Sequence, residues 1–253
     1  MSERRFERQL PSEFGDLRSA WEESAPAVIE WFRAPGHDSY WQYHRDQFLE
    51  LLPPPGRLTL DVGCGEGRLA RHLKALGHSV VALDGAPSMV EAAREADPEI
   101  ETLLGDAADL PFPDRHADLV VAFMCLQDVD DAAGAIREAA RVLEPGGRLC
   151  LAVVHPIGSA GRFDGNEPDS PFVIRGSYLA PFRYRDLMTR DGHSVTFESE
   201  HRPIEWYFGA LEAAGFLVER LRETPVPVSA LTEERQRRWQ RLPLFLHVRA
   251  VRP

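Results

Sequence analysis

The sequence predicts an α/β fold: a doubly wound, mostly parallel sheet of seven strands with helices on both faces. Three observations predict it. Residues 58–73 run from an apolar strand pattern through three glycines into a helical pattern. Strand and helix patterns then alternate as far as Val154, as in consecutive βαβ units that build a parallel sheet. Two further strand patterns, Phe216–Leu221 and Leu242–Val251, bring the total to seven.

Residues 1–56 read as an N-terminal helical lid, and residues 57–253 as the body. Within the lid, Pro26–Arg33 and Ser39–Leu52 are amphipathic and aromatic, separated by Ala34-Pro35-Gly36. Pro53-Pro54-Pro55-Gly56 stops the second helix and feeds the first strand. Leu58–Val62 is that strand, with Asp61 near its end. Ser79–Leu83 is the second and runs into Asp84, and Pro87–Ala96 is the helix that follows. Glu101–Leu104 is a short third strand before Gly105-Asp106. Ala117–Phe123 is apolar apart from Asp118 near its start, as a strand buried on both faces requires. The helix Asp131–Leu143 ends at Glu144-Pro145-Gly146-Gly147, and Arg148–Val154 is the fifth strand. The alternation stops at His155. Residues 155–200 read as an inserted cap with two strand-like runs, Ser177–Asp186 and Ser194–Glu200, joined by a turn within 188–193. Pro203–Ala214 is a helix stopped by Gly215.

Composition bounds the function. A chain of 253 residues, 43% hydrophobic, is long enough for one sizeable domain with an insertion. The net charge of −11 argues against a nucleic-acid groove, which needs a basic face. No apolar run reaches membrane-spanning length, so neither nucleic acid nor membrane is an expected partner. The three cysteines Cys64, Cys125 and Cys150 have no metal spacing and make no disulfide framework, and no metal site is expected. With no apolar signal region at the N-terminus, the expectation is a cytoplasmic monomer or homodimer.

The glycine spacing selects the ligand. A dinucleotide loop reads Gly-x-Gly-x-x-Gly. Here Gly63, Gly65 and Gly67 follow Gly-x-Gly-x-Gly, preceded by Asp61. That acidic strand tip suits a cationic ligand head rather than a diphosphate. The run Asp61-Val62-Gly63-Cys64-Gly65-Glu66-Gly67 resembles the first motif of the class I S-adenosylmethionine-dependent methyltransferases, which have a Rossmann-like fold. The resemblance covers residues 58–154 and extends to the last two strands. It implies S-adenosyl-L-methionine as cofactor, S-adenosyl-L-homocysteine as product, and an insertion after the fifth strand over the reaction site.

The resemblance also implies roles for residues at successive strand ends. Asp61 and the Gly63, Gly65, Gly67 turn would face the amino-acid tail of the cofactor. Asp84 would accept from the ribose hydroxyls, Gly85 would let the adenine pass, and Met89 would pack on its ring. Asp106 and the backbone of Ala107 would meet the adenine edge, and Met124 would offer a backbone group. Tyr40, His44 and Arg45, on the aromatic N-terminal helix, are candidates for its carboxylate tail. The turn after the fourth strand lacks the Asn/Asp-Pro-Pro-Tyr/Phe pattern of DNA-amine and side-chain-amide methyltransferases. It is similar instead to enzymes with small-molecule substrates, so Gln127, Asp128 and Tyr43 would face the acceptor. His155, directly after the fifth strand, and His201, at the end of the cap, are the candidate catalytic and substrate-binding histidines. The expected reaction is in-line methyl transfer to a small organic acceptor. The alternatives are an NAD-dependent oxidoreductase and a cofactor-binding regulator without catalysis.

Overall fold

The computed structural model describes residues 3–8, 15–231 and 233–253. The chain opens with strand β1 (Glu3–Arg8) and helix α1 (Leu17–Arg33), then a π-helical turn over Tyr40–His44 that runs into α2 (Arg45–Leu49). Strands and helices then alternate: β2 (Thr59–Val62), α3 (Arg68–Ala75), β3 (Val80–Asp84), α4 (Pro87–Ala96), β4 (Glu101–Leu104), β5 (Ala117–Phe123), α5 (Ala132–Val142) and β6 (Leu143–Val154). Next come α6 (Pro156–Ala160), a small hairpin of β7 (Gly161–Phe163) and β8 (Phe172–Ile174), and a long hairpin of β9 (Phe182–Arg190) and β10 (His193–His201). Helix α7 (Ile204–Ala213), β11 (Leu217–Thr224) and β12 (Phe245–Val251) close the chain.

The central sheet has the order β4-β3-β2-β5-β6-β12-β11. The first five strands are parallel, and β12 and β11 add antiparallel at one edge. Strand order reverses between β2 and β5, which opens a crevice at their carboxyl ends. The two faces are sorted by the alternation of β5. Val120 and Ala122 pack with Ile136 of α5 and with Tyr207 and Leu211 of α7. Leu119, Val121 and Phe123 pack with Tyr40, Phe48, Leu69 and Leu73 on the other face. A strand buried on both sides needs an uninterrupted apolar run, which Leu119–Phe123 supplies.

Within 58–154 the main difference is that β6 begins at Leu143, five residues before the expected Arg148; the larger differences lie outside. Helix α1 begins at Leu17, nine residues before Pro26, with the Asp16 carboxylate accepting from Ser19 N at 2.8 Å as its cap. Pro26 sits inside the helix, where it removes one backbone donor. Residues 3–8 are a strand rather than helix, paired antiparallel with β9 in the sheet β1-β9-β10. Residues 1, 2 and 9–14 of the expected lid lie outside the described residues. The long hairpin turns at Asp191-Gly192, within the expected turn, but β9 starts five residues later than expected and runs on to Arg190, and β10 gains one residue at each end. Apolar residues of α1, Ala25, Val28 and Trp31, pack with Ala86 and Met89 below and Val195 of β10 above. The three-stranded sheet is thereby held over the carboxyl ends of β2 and β3.

The π-turn carries Tyr40 and His44 into the core instead of presenting them to the crevice. Arg45 N bonds back to Tyr40 O, one residue further than an α-helix reaches. His44 Nδ1 lies 2.9 Å from His247 Nε2 of β12, and both rings are fully buried. Burial holds His44 well below the ordinary histidine range and lowers His247 from 6.5 to about 4. In the unfolded chain these imidazoles gain protons near pH 6.5, whereas in the folded chain they stay neutral to much lower pH. Their contribution is complete above about pH 6.5 and is lost as pH falls toward 4. By linkage, His247 alone should cost about 3 kcal/mol of stability across that interval. Denaturant titrations at pH 7 and pH 4.5 should show this loss, and His247→Phe should reduce the pH dependence.

Candidate active site

The crevice at the strand ends is a cavity of about 470 Å³. Its floor begins at the glycine turn. Gly63 N and Cys64 N donate to Leu83 O at 2.8 and 3.0 Å, which stitches the turn to β3. Gly65 has φ +56, a left-handed conformation that a Cβ disfavours. Its N–H donates to Asp84 Oδ2 at 2.8 Å, and Asp84 Oδ1 accepts from Ala86 N at 2.9 Å. Burial raises the Asp84 carboxyl. Asp61 is 1% exposed, and its Oδ2 has no hydrogen-bond partner among the described residues. Burial, then the neighbouring Asp84 charge, raises it to about 7. An orphaned acceptor of this kind, at the edge of a cavity, suits a cationic donor from a ligand.

The same cavity is lined by Gly85, Met89, Asp106, Ala107, Met124, Gln127, Asp128 and Tyr43. Gly67 begins α3 with φ +80 and does not line it. Asp106 Oδ1 accepts from Ala108 N at 2.8 Å, and its Oδ2 is 2.6 Å from Arg18 Nη2. Arg18 reaches from α1 across Gly85, where a Cβ would meet its Nε at 3.3 Å. Met124 adopts φ +56 at the end of β5, and its carbonyl accepts from Gln127 Nε2 at 2.7 Å. From the long hairpin, Tyr184, Asp186, Met188, Phe197 and Ser199 face the same space. These alternate along β9 and β10, so they form one face of the three-stranded sheet.

Several expected residues are placed elsewhere. Tyr40 is fully buried with its hydroxyl 2.6 Å from His72 Nδ1, and His44 is spent on His247. Arg45 is solvent-facing and pairs with Asp46 at 2.8 Å. None of the three lines the cavity. His155 follows β6 as expected, but its ring turns away. Nδ1 accepts from Ile157 N at 3.2 Å to cap α6, and Nε2 donates to Glu223 at 2.9 Å. His201 Nε2 donates to Tyr178 O at 2.7 Å, Nδ1 lies 2.7 Å from the Ser159 hydroxyl, and the ring stacks on Phe182 at 4.6 Å. His155 and His201, the two histidines expected to be catalytic, thus each have both nitrogens engaged outside the cavity lining. His155→Ala should cost about 1 kcal/mol through the lost cap, read as a lower melting temperature. Turnover in His155→Ala and His201→Ala should fall far less than the roughly 10²–10⁴-fold expected for loss of a general base.

Arg18, Trp21 and Arg68 are cavity residues that the sequence reading did not assign. Arg68 stacks over the Phe32 ring at 3.8 Å, with Nη1 3.3 Å from Asp38 Oδ1. It had a signal: a cation in the first turn of α3 opposes the helix dipole, so it needs a partner. Arg18 and Trp21 lie in the polar first half of α1 and had none beyond helical spacing.

The methyltransferase domain family model matches residues 60–151. A ubiquinone/menaquinone biosynthesis C-methyltransferase of Caulobacter vibrioides is 36% identical over 184 residues, which are 66% of this chain and 70% of that protein. An uncharacterized methyltransferase of Mycobacterium tuberculosis is 36% identical over 148 residues, or 57% of this chain and 53% of that protein. The chain thus spans about half the length of the mycobacterial relatives it matches. The crystal structure of an S-adenosylmethionine-dependent methyltransferase from Mesorhizobium loti superposes with a TM-score of 0.68 at 28% identity, covering 81% of this chain and 96% of that one. With the switch-point cavity, the glycine turn and these matches together, the chain belongs to the class I S-adenosylmethionine-dependent methyltransferases.

Proposed function

We propose that this protein transfers the methyl group of S-adenosyl-L-methionine to a small organic acceptor, with residues 1–56 as a lid and 155–200 as a cap. The observation that carries the reading is the shared cavity. The glycine turn, Asp84 and Asp106 line one part of it, and Gln127, Asp128 and the face of the three-stranded sheet line another.

Asp61 and the turn from Gly63 to Glu66 would hold the amino-acid tail, Asp84 the ribose, and Met89, Asp106 and Ala107 the adenine. When bound, the sulfonium supplies an activated methyl group to a nucleophile in line with it. The chain's own part is then to bind, orient and exclude water. Arg18 must leave Asp106 or share it, because both occupy the expected adenine edge. Trp21, Phe32, Met188 and Phe197 wall the upper side and keep the reaction away from solvent. Holding two reactants in line contributes roughly 7–11 kcal/mol in favourable cases, which requires no general base among the histidines.

No described helix is long and apolar enough to cross a membrane, and no cluster of metal-ligating side chains occurs among the described residues. The net charge of −11 supports a small-molecule acceptor over nucleic acid. The test is incubation with methyl-labelled S-adenosylmethionine and a panel of small acceptors. Label moving to a small acceptor supports the proposal. Cofactor binding with no transfer to any acceptor would favour a non-catalytic regulator.

A further inference from the structure

We propose that the acceptor is an amine, held by the Gln127 amide oxygen and the Asp128 carboxylate beneath the three-stranded sheet. This rests on the methyl-transfer reading above and names the acceptor class for the same cavity.

This end of the cavity holds unspent acceptors. Gln127 is 4% exposed and lines the cavity. Its Nε2 donates to Met124 O at 2.7 Å and to Asp128 Oδ2 at 2.8 Å. Its Oε1 is buried with no hydrogen-bond partner among the described residues. Asp128 Oδ1 accepts from the Ser199 hydroxyl at 2.6 Å. Each carboxylate oxygen has room for another donor. This end of the cavity therefore offers three oxygens that accept, and the polar donors beside them are already committed. A buried amide oxygen left without a donor costs about 1–3 kcal/mol, which an N–H from the ligand relieves.

Charge points the same way. Arg202, whose charge acts on Asp128, is spent on Leu126 O and Val129 O, each at 2.9 Å, and on Glu200 at 2.9 Å. Arg18 and Arg68, which line the cavity elsewhere, lie against Asp106 and Asp38. A carboxylate or phosphate acceptor at this end would face the Asp128 carboxylate with Arg202 already spent; Asp130 is paired with Arg183, and Arg68, whose Nη1 makes no hydrogen bond among the described residues, lies beside Asp38 and Phe32. An ammonium would instead meet a carboxylate, an amide oxygen and the rings of Trp21 and Phe197, whose centroids are 6.1 Å apart. Burial raises the Asp128 carboxyl well above its ordinary range, and an adjacent ammonium would hold it ionised.

The step balances on these groups. The ammonium gives one proton to Asp128. The freed nitrogen lone pair forms the N–C bond to the methyl carbon as the C–S bond breaks, its electron pair staying on sulfur. The products are an N-methylammonium ion, S-adenosylhomocysteine and protonated Asp128, which returns its proton to water.

Calorimetry on the full chain tests this. The protein is first titrated with S-adenosylhomocysteine, then at saturation with matched probes: phenethylamine, 2-phenylethanol, 4-ethylphenol and 3-phenylpropionate, and tryptamine with tryptophol and indole-3-propionate. At least one amine should bind more tightly than every alcohol, phenol or acid of its skeleton. Asp128→Asn should weaken the amine about 10–150-fold and leave S-adenosylhomocysteine affinity unchanged. Gln127→Met should weaken the amine as well, with both variants melting near wild type. Equal or tighter binding of an alcohol, phenol or acid overturns the inference. So does unchanged amine affinity in folded Asp128→Asn and Gln127→Met, or binding of no probe while S-adenosylhomocysteine binds. Failure of S-adenosylhomocysteine itself to bind overturns the methyl-transfer reading, and the inference with it.

Discussion

Gly65→Val is expected to abolish S-adenosylmethionine binding while leaving a folded protein. At φ +56 the position is left-handed, and a Cβ there meets no protein atom within 4 Å. The space it would enter is the cavity itself. A left-handed L-residue costs roughly 1–2 kcal/mol, and β-branching adds to that. The glycine turn is pinned by Gly63 and Cys64 to Leu83 and by Gly65 to Asp84, so the strain falls where the ligand must approach. A melting curve should show a modest loss, and calorimetry should show no saturable heat with the cofactor. A folded variant with wild-type affinity would remove the glycine turn from the site.

Asp84→Ala should raise the cofactor dissociation constant about 10–150-fold, equivalent to roughly 1.5–3 kcal/mol for hydrogen bonds to a charged acceptor. The carboxylate does two jobs in the structure. It accepts from Gly65 N and Ala86 N, which fixes the turn and the start of α4, and it faces the cavity where the ribose diol is proposed to lie. The variant therefore loses both the ligand contact and the shape of the turn, and a modest fall in melting temperature should accompany the weaker binding. Unchanged affinity in a folded variant would defeat the assignment.

The central sheet was legible because its signals are local. Parallel strands buried on both faces read as mainly apolar runs, and the glycines at 63, 65 and 67 mark the strand-to-helix turn whatever surrounds them. Asp61, Asp84, Asp106, Gln127 and Asp128 could be located for the same reason: each lies at or just after the carboxyl end of a strand, and topology alone brings those ends together. What sequence could not convey is non-local. Strand β1 exists because it pairs with β9, more than 170 residues away. Pro26 hid the first half of α1, although Leu17, Ala25 and Val28 are buried along it. The same-face reading of Tyr40 and His44 assumed an α-helix, and the π-turn with Phe123 and His247 took both rings into the core. His155 and His201 occupy the expected chain positions, but Glu223 and Tyr178 decide where their rings point.

The most direct measurement of the central claim is a calorimetric titration of the purified chain with S-adenosylmethionine and, separately, with NAD. Saturable one-to-one binding of S-adenosylmethionine is expected, lost in Gly65→Val and weakened in Asp84→Ala, with no saturable binding of NAD. Saturable NAD binding without S-adenosylmethionine binding, or S-adenosylmethionine affinity indifferent to both substitutions, would contradict it.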